Sequence, residues 1–318
     1  MDIVGYLEDY LMNYSQPSLT INLERGFWPS QATCAINDPI LGSGYVGKCL
    51  RASWFQSHRV TKTNPANERA QFIFGFGLAW EDWCQGKLKD AGILVADNKK
   101  FQTRVTAGLP EGESLVISGE LDGVVYNPTT DKNEILELKT FYSYIAKKSI
   151  IGGKRPFVKG QPKPDNLMQV MIYLDVFAQK DIDTANLFYV SRDNIDRKSY
   201  EIKLSKIGNQ TYPVIDGDIY RDITLEGIYQ RYYLLNQYIQ DDVMPPCDYS
   251  YIYSIEDLTK LYDADKLNKT ETSKYERNPA KVFKTKFECS YCDWKDYCLK
   301  IQQEEYNNNV PSENDPIF

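Results

Sequence analysis

The sequence predicts an α/β fold, and three observations carry the prediction. Residues 70–91 read as a long helix. Strand-like segments rich in Val, Ile and Leu follow at about 93–105, 114–126 and 134–140. A second helix, from about 165 to 180, then leads into a hairpin of residues 185–190 with 198–204. Helix, strands, helix and strands in one chain is the pattern of helices packed on a sheet. At 318 residues the chain can hold one large domain or two small ones, with a sizeable core either way.

Taken in order, residues 1–30 read as a helix and a loop, and Cys49 to Arg59 suits a helix start. The segment Asn127-Pro128-Thr129-Thr130-Asp131-Lys132-Asn133 is a turn by composition. Lys147–Lys163, with Gly152-Gly153 and several prolines, reads as a loop or lid. Asp165 or Asn166 can cap the helix that runs to about Lys180, and Arg192-Asp193-Asn194 joins the hairpin strands. Ile219–Gln240 is periodic enough for a long helix, and Asp241–Lys281 is a mixed, polar connector. The last sixteen residues are acidic and Asn-rich, the composition of a disordered tail. There is no internal repeat. The chain thus divides into an N-terminal segment (1–48), a core (49–240), a connector with a cysteine-bearing region (241–300) and a tail (301–318).

Composition is that of an ordinary globular protein, with 42% apolar and 25% charged residues. No apolar run approaches the roughly 18–20 residues of a membrane span. The opening Met1-Asp2-Ile3-Val4-Gly5-Tyr6-Leu7-Glu8-Asp9-Tyr10 is acidic and amphipathic, unlike a secretory signal. A cytoplasmic, reducing location is therefore expected. The net charge of −7 argues against a protein that coats nucleic acid non-specifically. A local basic strip exists nonetheless. Between Lys139 and Pro164 lie Lys147, Lys148, Lys154, Arg155, Lys159 and Lys163 and no acidic residue, with Tyr144 and Phe157 interleaved, a pattern suited to DNA.

Four stretches read together as one metal-dependent phosphodiesterase site: Gly77 to Glu81, Gly119-Glu120-Leu121-Asp122, Glu137-Leu138-Lys139 and Gln169 to Tyr173. Folding the 127–133 turn symmetrically puts Asp122 directly across from Glu137. Cross-strand Cβ atoms are about 4.5–5.5 Å apart, so the two carboxylates can share a divalent cation. Period-two alternation brings Lys139 onto the face of Glu137. Gln169 and Tyr173 lie one helical turn apart and can project together to position Lys139 or a DNA strand.

The chain contains seven cysteines, of which Cys289, Cys292 and Cys298 form a C-x-x-C-x5-C set. In a reducing compartment such a set points to metal or redox chemistry rather than a disulfide. A third neighbouring cysteine fits the redox reading poorly. Three thiolates leave a tetrahedral site one ligand short, and Cys49 is the best candidate for the fourth. Cys34, Cys84 and Cys247 are also available, but Cys84, one turn beyond Glu81, reads as packing, and Cys34 and Cys247 as ordinary loop or core residues. Spacing alone does not separate zinc from an iron–sulfur cluster.

These pieces together resemble the RecB-like branch of the PD-(D/E)xK nuclease superfamily. The match is to its iron–sulfur group, which includes the CRISPR-associated four-cysteine exonucleases, their phage-encoded relatives and the AddB nuclease domain. The motifs match as Gly119-x-x-Asp122, Glu137-x-Lys139 and Gln169-x-x-x-Tyr173, with Cys49 before the core and Cys289, Cys292 and Cys298 after it, over roughly residues 45–300. The resemblance implies a restriction-endonuclease-like core, a mixed central sheet flanked by helices, tied to a four-cysteine region holding a [4Fe–4S] cluster. It further implies Mg²⁺ or Mn²⁺ held by Asp122, Glu137, the Leu138 carbonyl and Glu81, with Lys139 orienting the nucleophile or stabilising the transition state. Where the family often has a histidine, this chain has Glu81, a substitution that bears on metal preference. Its single histidine, His58, lies too near Cys49 to replace it and reads as a surface residue. The expected activity is a DNA exonuclease acting on single strands or ends in phage or bacterial recombination, replication or repair. The alternatives are spacer processing within a CRISPR adaptation complex and a non-catalytic iron–sulfur DNA-binding subunit.

Two motifs are decoys. Gly42-Ser43-Gly44-Tyr45-Val46-Gly47-Lys48-Cys49 misses a phosphate loop because Cys49 stands where a Ser or Thr hydroxyl is needed. Glu201-Ile202-Lys203 is a second E-x-K, read as an exposed hairpin strand. The acidic C-terminus ending in Pro316-Ile317-Phe318 resembles the tip of bacterial single-stranded-DNA-binding proteins. It reads as a solvating tail, or else as a segment that docks on a recombination partner or folds over the Lys147–Lys163 strip.

Overall fold

The Val-, Ile- and Leu-rich segments pair into one seven-stranded mixed sheet in the computed structural model, which describes residues 26–154, 157–249, 253–282, 284 and 287–309. A hairpin of β1 (Thr33–Asp38) and β2 (Gly42–Gly47) comes first, followed by α1 (Leu50–Ser57) and α2 (Glu68–Asp90). Then β3 (Leu94–Val105), β4 (Leu115–Asn127) and β5 (Lys132–Phe141) form an antiparallel meander. A crossover of α3 (Tyr144–Ile150), the small hairpin β6 (Gly152–Lys154) and β7 (Phe157–Lys159), and α4 (Pro164–Phe177) leads to β8 (Ala185–Ser191), which runs parallel to β5. Antiparallel β9 (Arg197–Ile207), β10 (Gln210–Ile215) and β11 (Asp218–Ile219) complete the sheet, in the order β11-β10-β9-β8-β5-β4-β3. The chain ends in α5 (Leu225–Gln240), α6 (Ile255–Asp263), α7 (Lys269–Arg277), α8 (Phe287–Ser290) and α9 (Lys295–Asn309). None of the described helices is long and apolar enough to cross a membrane.

The core lies between the sheet and α4. That helix is apolar nearly all round, with Leu167, Met168, Val170, Met171, Ile172 and Leu174 all buried, as expected for a helix with no solvent face. It packs in one cluster with Ile135, Leu187 and Ile202 of the sheet and with Tyr229 and Tyr232 of α5. At about 1.5–3 kcal/mol for each large apolar side chain, this cluster dominates the driving force for folding. Cys34 and Ala32 of the N-terminal hairpin region belong to the same cluster, so the core begins before residue 49. By contrast α2 buries only Cys84 and Gln85, and meets the sheet through a small patch with Leu136 and Leu138.

Several elements differ from the sequence expectation. The α4 helix starts at Pro164 with Lys163 as N-cap, not at an Asp165 or Asn166 cap. Proline suits the first helical position because its missing N–H would be unpaired there, and Asp165 instead favours the first turn electrostatically. The 219–240 helix begins only at Leu225, because the Thr224 side chain accepts from Gly227 N and caps it, while Ile219 ends β11. The 147–163 stretch is not an irregular loop. Ser143 caps α3, and β6 pairs with β7. The polar connector holds two helices over a small apolar cluster of Leu258, Leu261, Leu267 and Val282. Gly42–Gly47 is strand β2 paired with β1, not a phosphate loop. The α9 helix continues to Asn309, into the stretch expected to be disordered, while residues 1–25 and 310–318 lie outside the described residues.

A buried clamp joins the C-terminal region to the core. Arg231 of α5 pairs with Asp248 at 2.5 Å, and the same carboxylate accepts from Leu50 N at the start of α1 at 2.7 Å. Arg231 also lies over the Tyr45 ring, 4.3 Å from its centroid. Replacing Asp248 with Ala would leave the guanidinium buried without its counter-charge. The expected loss is about 3–5 kcal/mol, read as a lower urea midpoint. A midpoint equal to that of the wild type would show the clamp to be dispensable.

Candidate active site

Gly123 and Leu136 are the last residues that β4 and β5 pair at this end of their ladder. The next two positions are Asp122 and Glu137, the pair the symmetric turn puts opposite one another. Here the strands part. Instead of continuing the ladder, the Asp122 carboxylate reaches across and accepts from Leu138 N at 2.7 Å. On the other side β5 pairs with β8, through Glu137 with Leu187 and Lys139 with Tyr189. The two carboxylates are thus fixed where a sheet strand is hydrogen-bonded on one edge only. Lys139, two residues on and on the same face as Glu137, forms an ion pair with Glu137 Oε1.

Glu81 comes to the same place from α2. One turn later Gln85 donates from Nε2 to Glu81 Oε1 (3.2 Å), to Asn98 Oδ1 (3.2 Å) and to the Asp122 carbonyl (2.7 Å). Gln85 therefore ties the helix to both strands, and the motif-based reading overlooked it. Its only sequence signal is the i,i+4 spacing from Glu81.

The charges conflict as they stand. Glu137 is 0% exposed, and its Oε2 is buried without a hydrogen-bond partner. Burial pushes its carboxyl up to about 8, with Lys139 opposing and Asp122 adding to the rise. Burial and the neighbouring Asp122 push Glu81 up to about 7. Asp122 is raised as well, by burial above all, against the pull of Lys139 and of the Leu138 N–H. Burial works to lower the Lys139 ammonium, but Glu137, Asp122 and Glu81 outweigh it and hold it above its ordinary value. With all three carboxyl groups ionised, the single ammonium would leave an excess of negative charge in a site that water solvates poorly, and the raised carboxyl groups relieve it by holding protons.

Gln169 and Tyr173 do project together from α4, and they meet the backbone of β4. Gln169 Nε2 donates to Tyr173 Oη at 2.8 Å, and Tyr173 Oη donates to the Glu120 carbonyl at 2.9 Å. Tyr173 is only 2% exposed. The pair holds the β4 backbone two residues before Asp122, which makes both of them positioning residues. The basic strip is partly neutralised, since Lys147 pairs with Asp196 and Lys159 with Asp218. Lys148 and Lys163 are described, whereas Arg155 and the Lys154 side chain lie outside the described residues. Glu201 and Lys203 pair with each other on β9, half-exposed, and take no part. His58 is half-buried rather than a plain surface residue. It stacks on Trp54 at 3.8 Å and reaches Asp242 at 3.1 Å.

Away from the carboxylates, Cys49, Cys289, Cys292 and Cys298 line one cavity. A fifth thiol, Cys247, lines it too, 4.0 Å from Cys49 Sγ and 3.9 Å from Cys298 Sγ. The hydrogen bond with Cys247 is the main cause holding both of those thiols below their ordinary range. Spacing gave no sign of Cys247, a lone cysteine 42 residues before Cys289. Cys84 and Cys34 are buried packing residues. Among the described residues, no group of three or more His, Cys, Asp or Glu side chains is placed so that it could hold a metal ion.

No family model and no curated protein matches the chain. Among solved structures it is similar to the crystal structure of SSO0001, at 17% sequence identity, covering 62% of this chain and 76% of that one, with a TM-score of 0.36. A likeness this distant carries no argument about activity.

Proposed function

We propose that the chain is a divalent-metal-dependent deoxyribonuclease of the PD-(D/E)xK type, hydrolysing phosphodiester bonds in single strands or at DNA ends. The observation that carries the proposal is the parting of β4 and β5 at Asp122 and Glu137, which gathers Glu81, Asp122, Glu137 and Lys139 in one site. The buried, unpartnered Glu137 Oε2 and the raised carboxyl groups fit a cation that these side chains and the Leu138 carbonyl would hold. Bound Mg²⁺ or Mn²⁺ supplies a water of lowered pKa and neutralises charge on the phosphate. Asp122 stays fixed by the Leu138 N–H, and Glu137 meets Lys139. Lys139 keeps its proton and offers positive charge to an oxygen on which charge builds up. Gln169 and Tyr173 hold the strand that carries Asp122. The test is incubation with end-labelled single-stranded and blunt duplex DNA, with and without Mn²⁺. Metal-dependent release of terminal products is expected, and intact substrate under every condition would reject the proposal.

The thiol cavity is the second part of this reading, with Cys49, Cys289, Cys292 and Cys298 as the holders of a [4Fe–4S] cluster. What supports it is that all four thiols line one cavity, and a cluster of this kind takes four thiolates, one on each iron. Such a cluster would tie α1 to the C-terminal helices. Anaerobically purified protein should be brown, with about four irons per chain. Cys49→Ser or Cys298→Ser should lose colour and stability together. Stoichiometric zinc with negligible iron would identify zinc as the resident metal instead.

A further inference from the structure

The α2 helix turns most of its apolar surface to solvent. From Ala70 to Trp80 it carries no charged residue. Phe72 (41%), Ile73 (37%), Phe74 (57%), Phe76 (66%), Leu78 (50%) and Trp83 (55%) are all exposed. Of its 23 residues only Cys84 and Gln85 are buried. A helix this apolar all round belongs inside a protein rather than on its surface. At about 150–250 Å² for a whole aromatic side chain, the six leave roughly 600 Å² of apolar surface open. A standard protein interface takes about 800 Å² from each partner, little more than half of it apolar. The face is therefore large enough to form the apolar part of one partner's share.

Its chemistry selects the occupant. Phosphate backbones and anionic lipid headgroups are held by Lys and Arg. Between Ala70 and Trp80 there is neither, and acidic Glu81 and Asp82 follow. A protein surface fits this face, and the face carries its own complement. Phe72, Phe76 and Trp83, at i, i+4 and i+11, form a ridge, with Trp80 stacked against Trp83 at a centroid distance of 5.0 Å. Gly75, Ala79 and Gly86 repeat the same spacing three residues on and form a groove beside it. Glycine inside a helix costs roughly 1 kcal/mol relative to alanine. Gly77 has a reason within the chain, since a Cβ there would come 4.0 Å from Thr140 Oγ1. At Gly75 and Gly86, among the described residues, a Cβ would meet nothing within 4 Å. That open space lets a second helix approach closely. Two copies related by a two-fold axis along α2 set each ridge into the other's groove, an isologous contact.

We infer that the chain pairs with a second copy of itself through α2, the ridge of Phe72, Phe76 and Trp83 on each protomer packing into the small-residue groove of its partner. The contact braces the helix that carries Glu81 and Gln85, which meets its own sheet only through a small patch. This inference is independent of the nuclease reading and of the thiol cavity.

Sedimentation equilibrium of the full chain across the micromolar range tests it, with far-UV circular dichroism to check folding. Wild type is expected at twice the mass of one chain. Phe76→Glu puts a charge into the middle of the ridge and should weaken pairing at least about thirtyfold, the effect of losing a central anchor. Gly75→Leu fills the groove where the protomer itself has open space. It should keep the fold and weaken pairing at least about tenfold. Val243→Glu, at an exposed apolar position beyond α5, should pair as wild type does. A wild-type chain that stays monomeric throughout, or a dimer that survives either α2 substitution, would overturn the inference. Binding of such a monomer to oligothymidylate or to phosphatidylglycerol vesicles, lost in Phe76→Glu, would assign the face to nucleic acid or lipid instead.

Discussion

Asp122→Ala is expected to lower DNA cleavage by at least about 10³-fold while the chain keeps its fold. The side chain does two things at once: it accepts the Leu138 N–H where the β4–β5 ladder stops, and it supplies negative charge beside Glu137 and Glu81. Removing it costs one hydrogen bond but also relieves crowding among carboxyl groups, so the stability change should be small. Lys139→Ala separates binding from chemistry. It takes the positive charge from Glu137, Asp122 and Glu81 and leaves the acidic groups in place. Mn²⁺ should still raise its melting temperature, while turnover falls by roughly 10²–10³-fold, the pattern of an interaction used in the transition state. Wild-type turnover in Asp122→Ala, or loss of Mn²⁺ stabilisation in Lys139→Ala, would contradict these roles.

The second large effect is on stability against pH. The carboxyl groups of Glu81 and Glu137 are raised to about 7 and about 8 by burial. In the unfolded chain a glutamate titrates near roughly 4.3. Between those values the native state binds more protons than the unfolded state, so metal-free stability should fall as pH rises from about 4.5 to 8. Mn²⁺ competes with those protons, and its stabilising effect should accordingly be larger at pH 8 than at pH 5.5. Glu137→Gln removes a charge that is buried with one oxygen unpartnered. At pH 8 the metal-free variant should be more stable than wild type by about 2 kcal/mol, a rise of roughly 4–8 °C in melting temperature. Calorimetry at both pH values, with and without Mn²⁺, measures all of this. A Glu137→Gln protein that melts at or below wild type at pH 8 would show that the carboxylate is not held at a cost.

What the chain disclosed in advance depended on how local the cause was. The turn at 127–133 is set by its own Asn, Pro and Thr residues. A symmetric fold of that turn suffices to bring Asp122 to the level of Glu137, as the Gly123–Leu136 pairing bears out. Nothing local says that the ladder ends there, with Asp122 bonding to Leu138 N, because that depends on β5 being shared with β8. The β1–β2 hairpin escaped notice because Gly42, Gly44 and Gly47 break its apolar alternation. The two helices of the 241–281 connector bury only a few apolar side chains, so their periodicity was weak. Gln169 and Tyr173 were legible as a pair one turn apart, but their hydrogen bond to Glu120 depends on how α4 packs on the sheet. Cys247 depends entirely on tertiary folding, through the Arg231–Asp248 clamp and the Arg51 contact with Pro245.

One comparison tests the acidic site most directly: single-turnover cleavage of end-labelled single-stranded DNA at pH 8 with Mn²⁺, by wild type and by Glu137→Gln purified in parallel. Glu137→Gln is the variant in which loss of activity cannot be ascribed to loss of fold, since burial makes the neutral amide the better-tolerated side chain at that position. Metal-dependent cleavage by wild type, with none by the more stable variant, is the expected result. Equal cleavage by the two proteins would show that the Asp122, Glu137 and Lys139 site does not perform the reaction.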